Sequence, residues 1–275
     1  MQEGSLQPSD RHKIIISGGG TGGHIFPAIA IAKALQKAEP NIELLFVGAE
    51  GKMEMEKVPA AGYKIEGLNI TGIKRELSFQ NFKWPFKLMI SLMKARKIIE
   101  RFQPDAAVGV GGYASGPLLY IATSQKIPSL IQEQNSYPGI TNKLLAKKVQ
   151  KICVAYDQMD RFFPIDKIIK TGNPVRSDIL NANGKKQEAT TFFNLLEDKK
   201  TLLIVGGSQG ARTINKSVLN DLSKLSGAGI QVIWQTGKAF FDQAKTAVEN
   251  LNNPAIKVFD FISRMDLAIT MSLMA

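Results

Sequence analysis

Lys13-Ile14-Ile15-Ile16-Ser17 runs straight into Gly18-Gly19-Gly20-Thr21-Gly22-Gly23-His24, and Leu202-Leu203-Ile204-Val205 runs into Gly206-Gly207-Ser208-Gln209-Gly210-Ala211-Arg212. Each stretch reads as a short apolar strand, a glycine-rich turn and the start of an amphipathic helix. Glycine removes the Cβ that would keep backbone N–H groups from converging, and the positive end of a helix dipole favours an anion there. One such turn is a weak sign of phosphate binding. Two, each opening its own α/β segment, predict two lobes with a phosphorylated ligand held between them.

The pattern repeats outward from both turns. Strand-like runs at Lys13–Ser17, Glu43–Val47, Tyr63–Gly67, Ala106–Val110, Ser129–Gln132, Lys151–Val154 and Ile168–Thr171 alternate with helical periodicity. They resume at Thr201–Val205, Gln231–Gln235 and Ile256–Phe259. Helices are expected over Pro27–Ala38, Pro85–Phe102, Ser115–Gln125, Ile140–Lys147, Thr213–Leu225 and Lys238–Asn250. Strand–helix alternation predicts parallel α/β architecture. The polar stretch Asn181–Gln187 and the preceding Gly172-Asn173-Pro174 place a boundary near residue 173, giving domains 1–172 and 173–275. The second is short of strands, and the apolar run Ile269–Ala275 carries no cap or turn signal. It reads as a cut inside that domain.

The 275 residues are 44% hydrophobic and 21% charged, a composition that can bury a real core. No uncharged apolar stretch is long enough to span a bilayer, and Met1–Arg11 is polar, without a signal core. The single cysteine, Cys153, sits in an apolar strand and reads as a structural thiol. Two histidines and no Cys/His cluster leave no zinc site to argue for. The net charge of +11 calls for an acidic partner: nucleic acid, an anionic membrane surface or a phosphorylated substrate.

Gly18, Gly20 and Gly23 satisfy the dinucleotide spacing, but that reading wants an acidic residue at the end of the second strand. That strand ends Phe46-Val47-Gly48-Ala49, and Glu50 comes late. The extra glycines and Thr21 predict instead a wide, flexible loop closing over a bulky phosphate. His24 then either moves a proton or merely fastens the loop. Gly111-Gly112-Tyr113-Ala114-Ser115-Gly116-Pro117 makes a third glycine turn on the same sheet edge, where open α/β sheets bind ligands. Gln132-Glu133-Gln134-Asn135 follows the next strand; Glu133 is the best-placed carboxylate for a general base, or else caps the helix after Pro138-Gly139. Arg176, in Gly172-Asn173-Pro174-Val175-Arg176, can fork onto a diphosphate, and Ser208 can donate to the same group.

Basic charge concentrates between Lys74 and Arg101. With Pro85–Phe102 helical and extended back one turn, Lys83, Lys87, Lys94, Lys97 and Arg101 share an arc of roughly 80°. Leu88, Leu92, Ala95, Ile99 and Phe102 take the core side; Phe86, Ile90 and Met93 flank the stripe, and Phe79, Phe82 and Trp84 precede it. Basic residues beside exposed aromatics read as attachment to an anionic membrane surface, against the plainer reading of a solvated helix face. No nucleic-acid motif is present, and no nucleic-acid partner is expected.

Together these segments resemble the MurG family of glycosyltransferases. The runs that carry the resemblance are Gly19–Pro27, Gly111–Pro117, Glu133-Gln134-Asn135 with Gly139–Lys143, Gly172–Arg176, Gly206–Arg212 and Phe261-Ile262. The resemblance implies a GT-B fold: two Rossmann-like lobes with parallel sheets and a cleft between them, the second lobe incomplete here. It implies UDP-N-acetylglucosamine as donor, lipid I as acceptor, no cofactor or metal, and the cytoplasmic face of a bacterial membrane as location. By family pattern Thr21, Gly22, Gly23, Asn135, Arg176, Ser208 and Ile262 line the donor site, the backbone at Ile262 reading the uracil. His24, Tyr113 and Glu133 face the acceptor, and the basic helix with Lys83, Trp84, Phe86, Lys87, Ile90, Met93, Lys94, Lys97 and Arg101 docks on the membrane. Asp266–Ala275 fits poorly the strand that the pattern places there, and Gly72-Ile73-Lys74-Arg75 lacks an expected following glycine. A UDP-sugar epimerase of the same architecture and a non-catalytic membrane-associated module remain as alternatives.

Overall fold

The computed structural model describes residues 11–70, 84–175 and 184–273, the side chains of Trp84 and Leu273 excepted. The chain divides into two compact units, Met1–Val175 and Arg176–Ala275. In the first, the strands are β1 (Lys13–Ser17), β2 (Glu43–Ala49), β3 (Lys64–Leu68), β4 (Ala106–Gly109), β5 (Ser129–Glu133), β6 (Lys151–Val154) and β7 (Ile168–Lys170). They form one parallel sheet in the order β3-β2-β1-β4-β5-β6-β7. The helices are α1 (Gly22–Ala38), α2 (Glu54–Ala60), α3 (Trp84–Phe102), α4 (Ser115–Ser124) and α5 (Ile140–Leu145).

Both faces of this sheet are covered, which is why its central strands read as unbroken apolar runs. Successive side chains of β1 point to opposite faces. Ile15 packs with Ala95, Ile98 and Ile99 of α3, Leu118 and Leu119 of α4 and Leu145 of α5. Ile16 packs with Ile25, Ala28 and Ile29 of α1 and Val58 of α2. The strand order reverses at β1, whose neighbours are β2 and β4, so the turns after β1 and β4 emerge side by side.

The second unit carries α6 (Lys186–Phe193), β8 (Thr201–Val205), α7 (Arg212–Asn220), α8 (Leu222–Gly227), β9 (Gln231–Gln235), α9 (Lys238–Leu251), β10 (Ile256–Phe259) and α10 (Met265–Leu273). Its described strands make a parallel sheet, β10-β9-β8. Ile233 faces Phe193, Leu267 and Met271 on one side; Val232 and Trp234 face Val218 and Ala244 on the other. Trp234 is fully buried, and its indole N–H donates to Asn215 Oδ1 at 3.1 Å.

Several expectations are corrected. The helix expected from Pro27 begins at Gly22, so the second half of the glycine run is already helical. The helix expected over Thr213–Leu225 is two, separated at Asp221. Helices α2 and α6 are additional. The stretch in which the family pattern places a strand is α10, with Leu267, Ala268 and Met271 on its buried side.

At the start of α10, Asp266 is buried and accepts from Arg264 Nε at 3.0 Å, Arg264 Nη2 at 2.9 Å and Lys185 Nζ at 2.9 Å. Hydrogen bonds from Arg264 hold the carboxyl far below the usual carboxylate range, with Lys185 adding to them against burial. Its folded affinity for protons is depressed, so its stabilisation is complete above the ordinary carboxylate range and is lost as pH falls below it. Asp266→Ala should cost about 2 kcal/mol at neutral pH. Denaturant melts at pH 7 and pH 3 should show that difference shrinking on the acid side.

Candidate active site

In the first unit the site is built where β1, β4 and β5 end. Gly18–Thr21 is a short turn between β1 and α1, and it is held on both sides. Gly19 N–H donates to the Gly111 carbonyl at 3.3 Å. Gly112, at φ +91°, lies so close that a Cβ there would stand 2.3 Å from the Gly19 carbonyl oxygen. On the other side the Gly20 N–H donates to Glu54 Oε2 at 2.9 Å, while Ala49 N–H donates to Oε1 at 2.9 Å. Glu54 is fully buried. The expectation of a wide, flexible loop is therefore corrected: the turn is short and bolted to α2 and to the turn after β4. Its Gly20 amide already serves a carboxylate, which leaves the amides at the start of α1, at Gly22 and Gly23, as the turn's reserve for a ligand.

His24 sits in the first turn of α1, half-buried. Its Nδ1 lies 3.1 Å from the Gly19 carbonyl, which can only accept, so Nδ1 carries the proton and Nε2 offers a lone pair. Thr21 Oγ1 is 3.4 Å from the same nitrogen. The other edge of the ring lies against Gly111, where a Cβ would come within 2.7 Å of Cδ2 and 2.9 Å of Nε2. Burial lowers the His24 pKa below 6.5, partly offset by the Gly19 carbonyl and by the charges of Glu133 and Glu54. The ring is thus neutral at pH 7, with a base at Nε2.

Glu133 is differently placed. It is 1% exposed, and both oxygens are occupied. Oε1 accepts from the backbone N–H and side-chain amide of Asn135, each at 3.0 Å. Oε2 accepts from Gly139 N–H at 3.1 Å and Asn142 Nδ2 at 2.9 Å. With four donors around it the carboxylate shapes the turn between β5 and α5 and has no lone pair left for an incoming proton. This is the capping arrangement that the sequence offered as the alternative to a base. Asn135 and Tyr113 are exposed, Tyr113 at the turn leading into α4.

In the second unit the turn after β8 closes with Gly210 N–H on the Gly207 carbonyl at 3.1 Å, placing Ser208 within it. The Gln235 side chain ties two segments together: Nε2 donates to the Gly207 carbonyl at 2.8 Å, and Oε1 accepts from Ile262 N–H at 2.8 Å. Ile262 is 3% exposed and its N–H is spoken for, so only its carbonyl is left to read a base edge. Sequence reasoning missed Gln235 and Glu54 alike; each is a polar side chain that satisfies the backbone of a glycine turn distant from it in the sequence. Arg176 and Lys83 lie outside the described residues, as does the side chain of Trp84.

On α3 the structure exposes Phe86, Met89, Ile90 and Met93, at 70%, 62%, 52% and 54%. The basic stripe is less free than the sequence suggests. Lys94 pairs with Glu50 at 2.7 Å and Arg101 with Glu66, leaving Lys87 and Lys97 as its other described members. Among the described residues no helix is long and apolar enough to cross a membrane, and no three His, Cys, Asp or Glu side chains gather as a metal site requires.

Residues 14–154 match the glycosyltransferase family 28 N-terminal domain, and residues 201–275 match the family 28 C-terminal domain. The UDP-N-acetylglucosamine--N-acetylmuramyl-(pentapeptide) pyrophosphoryl-undecaprenol N-acetylglucosamine transferase of Parabacteroides distasonis is 58% identical over 258 residues, covering 94% of this chain and 70% of the relative. The chain belongs to the MurG family of glycosyltransferases. A second member of the same name, from Bacteroides thetaiotaomicron, is 55% identical over 262 residues, again covering 94% of this chain and 70% of the relative. Among solved structures, MurG from Acinetobacter baumannii aligns with a TM-score of 0.62 at 25% identity, over 95% of this chain and 71% of that one. A UDP-GlcNAc 2-epimerase from Neisseria meningitidis bound to UDP-GlcNAc aligns with a TM-score of 0.64, over 94% and 74%. At 17% identity that likeness shows shared architecture, two Rossmann-like units, and membership in the MurG family does not favour the epimerase reading.

Proposed function

We propose that this chain moves N-acetylglucosamine from UDP-N-acetylglucosamine to the sugar of lipid I, on the inner face of a bacterial membrane, in the pathway that builds the wall governing cell shape and division. The observation that carries the chemistry is His24: proton on Nδ1, lone pair on Nε2. Nε2 takes the proton of the acceptor hydroxyl as its oxygen attacks the anomeric carbon, UDP leaves from the opposite side, and the product is inverted. The resulting imidazolium is favoured by the charges of Glu133 and Glu54. Glu133 keeps Asn135 and the β5–α5 turn in place, and Tyr113 offers an exposed hydroxyl to the acceptor. In the second unit the Gly207–Gly210 turn, Ser208 and Arg176 hold the diphosphate, and the Ile262 carbonyl meets the uracil. Donors fixed in advance stabilise the charge that develops on the leaving group.

Incubating the chain with radiolabelled UDP-N-acetylglucosamine and a lipid I analogue should move label into the lipid fraction. Isomerised free sugar, or label that stays wholly on the nucleotide, overturns the reading.

Docking on an anionic membrane rests on the apolar stripe of α3 more than on its cations, two of which are already paired. Replacing Phe86 and Ile90 together by Ser should lower partitioning onto anionic vesicles about a hundredfold or more, since burying each side chain contributes about 1.5–3 kcal/mol. Sedimentation with vesicles over a salt series measures it.

A further inference from the structure

The Gly20 N–H that donates to Glu54 and the Gly19 carbonyl that accepts from His24 belong to one peptide group. That peptide is trans, so its two polar ends point in opposite directions, the N–H towards the carboxylate and the C=O towards the imidazole. Glycines are required around it. Gly20 has φ +85°, and a Cβ on Gly19 would stand 2.1 Å from Glu54 Oε1. Gly48, at the end of β2, leaves room for the Glu54 stem, since a Cβ there would stand 2.5 Å from Cγ. The buried Glu54 side chain accepts from two backbone N–H groups, one on each oxygen, and a carboxylate in that position polarises the peptide it holds. In a low-dielectric setting, hydrogen bonds in series strengthen one another.

We propose that Glu54 is a positioning residue for the transfer reaction, acting on His24 through the Gly19–Gly20 peptide: carboxylate, peptide and imidazole form a relay that keeps the His24 proton on Nδ1 and makes Nε2 the base. The inference rests on the reading of His24 as base. No proton crosses the peptide; the relay fixes the tautomer and favours the imidazolium once Nε2 has taken its proton. The other charge bearing on the ring is Glu133, at the end of β5. The turn after β4, which packs on the ring edge, contributes the backbone of Gly111. Glu133 is held by Asn135, Gly139 and Asn142 and has no such link to Nδ1.

The chain has two histidines, and the other, His12, is exposed, so the His24 ring can be followed by nitrogen-15 NMR without activity entering the readout. In the unaltered protein the spectrum should show the Nδ1–H tautomer, and the Gly20 amide proton should shift in step with the His24 titration. Glu54→Gln, folded by circular dichroism, should move the His24 midpoint further down and admit the Nε2–H tautomer. Its kcat should fall about tenfold, with the acid limb of the pH profile displaced the same way and KM for UDP-N-acetylglucosamine unchanged. A Gly20 amide indifferent to the His24 titration overturns the relay even if the variant does not fold. A folded variant with unaltered tautomer and midpoint overturns it too. An intact relay without transfer counts instead against the assignment of His24 as base.

Discussion

His24→Asn should lower kcat for sugar transfer by about 10²–10⁴, the span that general-base catalysis commands. Asparagine can still donate from Nδ2 to the Gly19 carbonyl, so the turn keeps its shape while the base is gone. KM for UDP-N-acetylglucosamine should stay near its starting value. The pH profile supplies the sign: burial lowers the His24 pKa below 6.5, so activity should fall as pH drops below that value and the ring takes up a proton. In the variant that acid limb should vanish. A kcat within a few-fold of the unaltered chain, as steady-state assays would show, removes His24 from the chemistry.

The largest structural effect is expected in the second unit. Gly210 has φ +78°, and a Cβ there would stand 1.8 Å from the Thr236 carbonyl oxygen. The facing glycine answers in kind: Gly237 has φ +76°, and its Cβ would stand 2.0 Å from the Gln209 carbonyl oxygen. The turns after β8 and β9 therefore lie backbone on backbone. Gly210→Ala should cost about 3 kcal/mol or more, through overpacking and a left-handed conformation that alanine resists. In a unit of this size that is a fall of roughly 15 °C in Tm. Gly207→Ala is the control. Its φ is +84° but nothing lies within 4 Å of the added Cβ, so it should cost only the conformational penalty, about 1 kcal/mol. Calorimetry on the two variants separates them; equal losses would mean that crowding plays no part.

Much of the architecture was legible because parallel strands buried on both faces leave continuous apolar runs. All ten described strands are anticipated, five with both ends as expected and five with an end shifted by a residue or two. Helix α2 was not, since Glu54–Ala60 contains Pro59 and little besides Val58 to bury. α10 was obscured for another reason: a short apolar run with no periodicity suits a strand as well as a helix. The site was legible to the extent that topology places it. The reversal of strand order at β1 brings Gly18–His24 beside Gly111-Gly112, and β5 adds Glu133. What stayed hidden were the partners of the backbone. Nothing in Met53-Glu54-Met55 distinguishes a surface glutamate from one buried beneath a glycine turn; only the space vacated at Gly19 and Gly48 does. Likewise Gln235 reads as the polar end of a strand until its amide is seen closing on Gly207 and Ile262.

The contact between Gly112 and the Gly19 carbonyl bears on how this chain can vary. What blocks a side chain at position 112 is an oxygen that all twenty amino acids carry. No substitution at residue 19 can shrink it, and a larger residue there would meet Glu54. A genetic selection for suppressors of Gly112→Ala should therefore recover revertants at codon 112 and few compensating changes elsewhere. The glycine signature persists under such selection even where no ligand touches it, so its spacing records a crossing of two loops as much as the shape of a phosphate.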